Sequence, residues 1–365
     1  MTVGDYVAYL VCQSFRVGSG RDTRALKRLR PQASTVILPA YTCPTVGRAV
    51  LEAGLTGLCL DISLDDFNID VEKLEAALDD NVLAVIVAHM FGTPANIARF
   101  QQACRAHGAA LIEDAAQACG ARFDDQLVGT FGELAFLSLG RSKNLRGYKG
   151  GVLLVNAPAL VEPVREEVAR LPPGGWLPPT PILNQLAICA LSAPRLWQYA
   201  KKVSWLHVGA EDQSFDGHPS RLPAWQAGLG LIALKRLDLC NAHRQHLARA
   251  LEQRLAELPA VQVQSKVPQA RSVYTRLALR LLGDSPPRGM LVSHFQAIGI
   301  DARPFYTRAM YQYDWWEPSE AQATCKNAEH LVATNLALPV YWGMSYRQLP
   351  DFADAVCTVL EAAAC

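Results

Sequence analysis

The feature that most constrains this chain is an alternation, between residues 35 and 156, of short apolar runs with helix-period segments. "STVILPA", "TGLCLDI", "NVLAVIVAHMFG", "AALIEDAA", "ELAFLSLG" and "GGVLLVN" are continuous enough to be strands buried on both faces. Between them, "PTVGRAVLEAG" places Pro44 in a first helical turn and Gly54 at a stop, and "PANIARFQQACRAHG" ends in the same way at Gly108. This order predicts an α/β domain around a mostly parallel sheet, because parallel neighbours need a crossover that a helix supplies. Ligands of such sheets bind beyond the carboxyl ends of the strands, where "HMFG", "EDAAQ" and "GRSKN" fall.

After residue 156 the pattern breaks. An irregular, Pro-rich apolar segment runs from about 171 to 215, and its most apolar part, "PILNQLAICALSAPRLWQYA" at 181 to 200, is interrupted by Asn184, Gln185, two prolines and Arg195. That is too broken for a spanning helix and leaves a buried helix, a lid or an interfacial helix. From 223 on, "LPAWQAGLGLIALKRLDLCNAHRQHLARALEQRLAEL" is a long helical pattern carrying Leu229, Ile232, Ala233 and Leu237. It leads into a smaller α+β region in which "SVYTRLALRLL", "MLVSHFQAIGI" and "LPDFADAVCTVLEAA" read as strand, helix and helix. The expected division is a large domain over 1–222 and a small C-terminal domain over 223–365; a chain of 365 residues, half of them apolar, has enough core for both.

A net charge of +1 provides no global field for nucleic acid or an acidic membrane surface. The ten cysteines are scattered, with neither Cys-x-x-Cys pairs nor zinc-like spacing, so no metal is expected and they read as reduced thiols of a cytoplasmic protein. The N-terminus lacks the basic stretch of a secretory leader.

Three places carry candidate chemistry. Asp114 ends an apolar strand, where a carboxylate needs a cation or strong donors; it is a helix N-cap, half of a buried ion pair, or a carboxylate facing a protonated ring nitrogen. Ser19, Gly20 and Arg21 offer a hydroxyl, backbone amides and a guanidinium that suit a phosphate or a plain helix cap, and no Gly-x-Gly-x-x-Gly points to a dinucleotide. The loop "GRSKNLRGYKGG" holds Lys143 and Lys149. Either is a catalytic amine only if its surroundings supply the neutral form, and pattern alone does not choose between them.

In order and spacing, "LPAYTCPTVGRAVLEAG", "VIVAHMFGTPANIARFQQACRAHGAALIEDAAQACGA" and "VGTFGELAFLSLGRSKNLRGYKGG" resemble the DegT/DnrJ/EryC1/StrS aminotransferases, sugar aminotransferases of PLP fold type I. The resemblance continues through "WQAGLGLIALKRLD", "IGIDARPFY" and "LALPVY". It implies that Lys143, which precedes Asn-Leu and then the double glycine Gly150–Gly151, forms the Schiff base with pyridoxal 5'-phosphate. It further implies that Asp114 faces the pyridine nitrogen, Gln117 the ring hydroxyl and Ser138 the phosphate, with Ser19, Gly20 and Arg21 as the phosphate loop. Departures from the family pattern fall at Cys43, where an aromatic ring commonly covers the cofactor, and at Pro219–Ser220–Arg221, which leaves Arg221 as the phosphate donor across a homodimer interface.

The resemblance implies an amino group moved from glutamate to a nucleotide-linked keto-sugar or similar ketone. His89, Arg303 and Tyr306 are candidates for substrate contacts, against structural roles for each. The alternatives are a different reaction of the same fold, elimination or replacement, and a non-catalytic scaffold or regulator.

Overall fold

The computed structural model describes residues 7–11, 26–28, 30–147, 149–174, 220–283, 287–317 and 322–361. Ser19, Gly20, Arg21, the apolar stretch 181–200 and Pro219 lie outside the described residues.

The first part of the chain builds strands β1 (Val7–Val11), β2 (Thr35–Pro39), β3 (Thr56–Leu60), β4 (Val82–Ala88), β5 (Ala110–Asp114), the short β6 (Arg122–Phe123) and β7 (Gln126–Leu127), β8 (Leu134–Ser138) and β9 (Gly151–Val155). All six apolar runs singled out in the sequence are strands. Seven strands form one sheet in the order β1-β9-β8-β5-β4-β2-β3. The pairs from β8 through β5, β4 and β2 to β3 are parallel, whereas β9 runs antiparallel to both β8 and β1. Helices α1 (Pro44–Glu52), α2 (Val71–Ala77), α3 (Ile97–Ala106) and α4 (Pro158–Ala169) supply crossovers and cover. With both faces covered, every residue of β4 is buried, which is why the run lacks polar alternation.

Two helices replace the single one suggested by the pattern after 223: α5 (Ala224–Lys235) and α6 (Leu237–Leu255), broken at Arg236 (φ −108°, ψ 0°). Leu237 is buried, but Leu229 and Ile232 are exposed. Beyond them β10 (Val261–Val263), β11 (Ala270–Arg271), β12 (Arg276–Leu281), α7 (Arg288–Ala297), α8 (Lys326–Thr334), β13 (Asn335–Pro339) and α9 (Leu349–Glu361) follow. An antiparallel sheet, β10-β12-β13, packs with α6, α7 and α9 around Leu247, Leu251, Phe295, Leu336, Leu338 and Val356.

The aromatic run at 311–317 is an anchor on the large sheet. Trp316 is buried where a Cβ on Gly57 would come within 2.3 Å of its ring. Burial of a side chain of that kind contributes roughly 1.5–3 kcal/mol. Among the described residues no helix is long and apolar enough to cross a membrane, and no group of three or more His, Cys, Asp or Glu is placed to hold a metal.

Candidate active site

The carboxyl ends of β4, β5 and β8 lie side by side, so the segments that follow them share one edge of the sheet. β5 ends in two consecutive carboxylates, and the strand's period of two sends Glu113 and Asp114 to opposite faces. Both are buried, at 0% and 7% exposure. Glu113 Oε1 accepts from the N–H groups of Phe131 (2.7 Å) and Gly132 (2.8 Å), and Oε2 from Gly129 N–H (2.7 Å). His89 Nε2 lies 3.1 Å from Oε2, while its Nδ1 accepts from Ala95 N–H at 3.1 Å. That second bond sets the tautomer: the ring proton sits on Nε2 and points at Glu113. Asp114, in contrast, accepts among the described residues only from the N–H of Ala116, at 3.0 Å. Burial pushes its carboxyl up to about 6, against the Ala116 N–H and the charge of Lys143.

Lys143 is carried by the loop between β8 and β9. Leu139 N–H donates to Gly150 O and Gly147 N–H to Leu139 O, both at 2.8 Å, which closes the loop; Lys143 N–H donates to Gly140 O at 3.1 Å. Ser138 Oγ accepts from Gly140 N–H at 3.2 Å, and a Cβ on Gly140 would lie 3.2 Å from that Oγ and 3.4 Å from Lys143 Cγ. Ser138, Gly140 and Lys143 therefore crowd one spot. Cys43, at the start of α1, faces the same spot: burial pushes its thiol up, Lys143 and Thr45 pull it down, and Asp114 adds to the rise. Its Sγ lies 3.0 Å from Thr45 Oγ1. Lys143 is thus the lysine whose charge reaches both Asp114 and Cys43, whereas Lys149 is tied through its carbonyl to Gln226 Nε2 at 3.3 Å. The neighbouring Asn144 is buried, its amide 2.9 Å from that of Asn241, which in turn donates to Cys119 O at 3.0 Å.

Gln117 lies in the turn after β5. Its Oε1 accepts from Thr275 Oγ1 at 3.2 Å, and its Nε2 donates to Tyr306 Oη at 3.4 Å. Tyr306 is buried, edge-on to Tyr41 at 5.3 Å and to Phe305 at 4.9 Å. The structure thereby brings Tyr306 to Gln117. Thr275 and Asn241 went unread in the sequence, since no motif marks them.

The other candidates are placed differently. His89 has both ring nitrogens engaged inside the protein, on Glu113 and on the Ala95 N–H. Arg303 pairs through its backbone with Ala337, and its guanidinium lies 3.8 Å from Asp301. Arg221 has an exposed side chain, and its N–H donates to Pro172 O at 2.9 Å.

The profile of the DegT/DnrJ/EryC1/StrS aminotransferase family matches residues 23–357. The UDP-N-acetyl-3-dehydro-alpha-D-glucosamine 3-aminotransferase of Acidithiobacillus ferrooxidans is 26% identical over 325 residues, 88% of this chain and 76% of that protein. Among solved structures, DesV of S. venezuelae matches with a TM-score of 0.74 at 23% identity, covering 97% of this chain and 85% of that one. The E. coli GDP-4-keto-6-deoxy-D-mannose-3-dehydratase with bound hydrated PLP matches at 0.70 and 19%, covering 93% and 86%. The fold is PLP fold type I. A family match that spans nearly the whole chain makes this protein a member of the DegT/DnrJ/EryC1/StrS family, and hence a pyridoxal-phosphate-dependent aminotransferase.

Proposed function

We propose that this chain moves an amino group from glutamate to a nucleotide-linked keto-sugar, with Lys143 as the catalytic amine and Asp114 opposite the cofactor's ring nitrogen. The observation that carries the reading is Asp114 itself. A buried carboxylate with one backbone donor, raised to about 6 despite the charge of Lys143, forms no ion pair among the described residues, and a protonated pyridine nitrogen would supply one. The remaining residues fit the same group: the Ser138 hydroxyl beside Lys143 suits its phosphate, the Gln117 amide its ring hydroxyl, and the Cys43 thiol takes the place against the ring. The relative named for a UDP-linked 3-dehydro sugar supports the acceptor class.

When bound, the cofactor's protonated ring draws electrons from the carbon that bears the amino group, so that the hydrogen on that carbon can leave as a proton. Lys143 Nζ would take this proton and deliver it to the cofactor carbon on the far side of the amino nitrogen, acting as general base and then acid. Asp114 keeps the ring nitrogen protonated throughout. Tyr41 and Tyr306, both buried, wall the site against water. Arg303 is the side chain assigned to the donor's carboxylate, which a guanidinium binds through two parallel bonds.

The working unit in this reading is a cytoplasmic homodimer. Leu231, Ile232 and Leu239 are 52%, 59% and 62% exposed on α5 and the start of α6, and an apolar surface of this kind calls for cover by a second copy. Arg221, just ahead of α5, then reaches the partner's phosphate site.

An absorption spectrum of the protein with added pyridoxal phosphate, before and after glutamate, tests the assignment. The wild type should show a visible band that Lys143→Ala lacks, and glutamate should convert it. A band equally present in Lys143→Ala removes Lys143 from its role. A Lys143-dependent band that ignores glutamate replaces amino transfer from this donor with the elimination or replacement reading.

A further inference from the structure

We infer that Thr275 is a positioning residue for the reaction: its hydroxyl holds the Gln117 amide in the place where it faces the cofactor. The inference rests on the reading that Gln117 faces the ring hydroxyl. A hydroxyl both donates and accepts, so Thr275 can bond either end of that amide, and the bond fixes where the amide lies. Gln117 is buried with Oε1 on Thr275 Oγ1 (3.2 Å) and Nε2 near Tyr306 Oη (3.4 Å). In that orientation the second hydrogen of Nε2 remains for the cofactor's oxygen. Without the Thr275 hydroxyl, Oε1 becomes a buried acceptor with no donor. The amide then leaves its place to find another donor, and its N–H no longer faces the cofactor's oxygen.

The backbone around Thr275 is held in place at evident cost. Thr275 N–H donates to Phe91 O (2.8 Å) and Val273 N–H to Gly92 O (2.9 Å). On one side of this clasp Phe91 has φ +57°, and on the other Tyr274 has φ +48°, left-handed conformations unfavourable for bulky side chains. Gly92, at φ +88°, sits so close that a Cβ would lie 2.8 Å from Tyr274 N and 2.9 Å from Gln117 O. Tyr274 is secured by its hydroxyl, which donates to Glu252 Oε1 (3.0 Å) and accepts from Lys266 Nζ (2.9 Å). Strain of this kind persists where the surroundings over-determine it, and it collects at functional sites. Here it delivers one side chain, Thr275, to Gln117.

The test is a pH titration of the Lys143-dependent absorption band in the cofactor-loaded wild type, Thr275→Val, Thr275→Ser and Gln117→Ala. An N–H facing the cofactor's phenolic oxygen favours its ionised form, so loss of that donor raises the midpoint. Thr275→Val and Gln117→Ala should both shift it upward by about one pH unit, a tenfold change, and Thr275→Ser should keep the wild-type value. A shift in Gln117→Ala without one in Thr275→Val overturns the inference and leaves the Gln117 reading intact. No shift in Gln117→Ala overturns both. Thermal melting reports whether each variant folds, and Thr275→Ala removes the same hydroxyl should the valine variant not fold.

Discussion

Glu113 and Asp114 are neighbours on one strand, both carboxylates and both buried, yet they face opposite sides of the sheet and opposite circumstances. On the Glu113 side three backbone N–H groups and an imidazole converge, so the burial of a charge, which costs several kcal/mol uncompensated, is offset within the protein. Across the sheet Asp114 has one N–H, and its carboxyl is pushed up to about 6. Donor count, more than residue type or depth, separates a carboxylate that holds the 129–132 turn from one left with a single backbone donor among the described residues. Stability and chemistry are divided between consecutive residues because a strand turns each one to its own face.

Substitution should pull the two apart in opposite directions. Asp114→Asn keeps the shape and removes the charge, so amino transfer should fall by roughly 10²–10³-fold, the usual size of a lost electrostatic partner at a reacting centre, while the cofactor-free protein melts no lower than wild type. Glu113→Ala strands the donors of Gly129, Phe131 and Gly132 and should cost about 3–5 kcal/mol in denaturant unfolding. A wild-type melting curve for Glu113→Ala, or a collapse of Asp114→Asn, would erase the distinction.

The same contrast has a pH signature in the cofactor-free protein. Asp114 titrates near 6 when folded against an ordinary value of 3.8; because its pKa is raised, the stabilisation it lends is complete below the lower value and is lost as pH climbs through the higher one. The loss amounts to about 3 kcal/mol, two pKa units at 1.36 kcal/mol each plus a little. Unfolding measured from about pH 4 to pH 7 should therefore show wild type losing stability relative to Asp114→Asn, and pyridoxal phosphate should narrow the gap. Parallel curves for the two proteins would mean that Asp114 is already compensated without the cofactor.

Much of this architecture was legible in the sequence, and what was not has a common cause. Six apolar runs gave away six strands, but a strand buried on both faces looks the same in either direction, so the antiparallel run of β9 was hidden. The break at Arg236 carries neither Pro nor Gly, and helical periodicity cannot tell an apolar residue bound for the core from one left exposed like Ile232. Asp114 stood out as a strand-end carboxylate, while Glu113 beside it did not, because its donors come from a turn formed 16 to 19 residues later. Gln117 meets Thr275 and Tyr306 across 158 and 189 residues. Contacts that distant exist only after the sheet has formed.

The finest test of the comparison lies at Gly129, whose N–H is one of the Glu113 donors. Its φ of +91° is a conformation that an L side chain rarely adopts, and an added Cβ would also lie 3.2 Å from Leu154 Cδ1. Gly129→Ala should cost about 1–2 kcal/mol through backbone strain, with the donor to Glu113 retained. If the two faces of β5 are as separate as their hydrogen bonds suggest, the variant lowers the melting temperature and leaves the pH midpoint of the cofactor band where it was. A shifted midpoint would show that strain on the Glu113 side crosses the strand to Asp114, most directly through His89, whose ring bonds Glu113 and whose backbone N–H donates to Asp114 O at 3.0 Å.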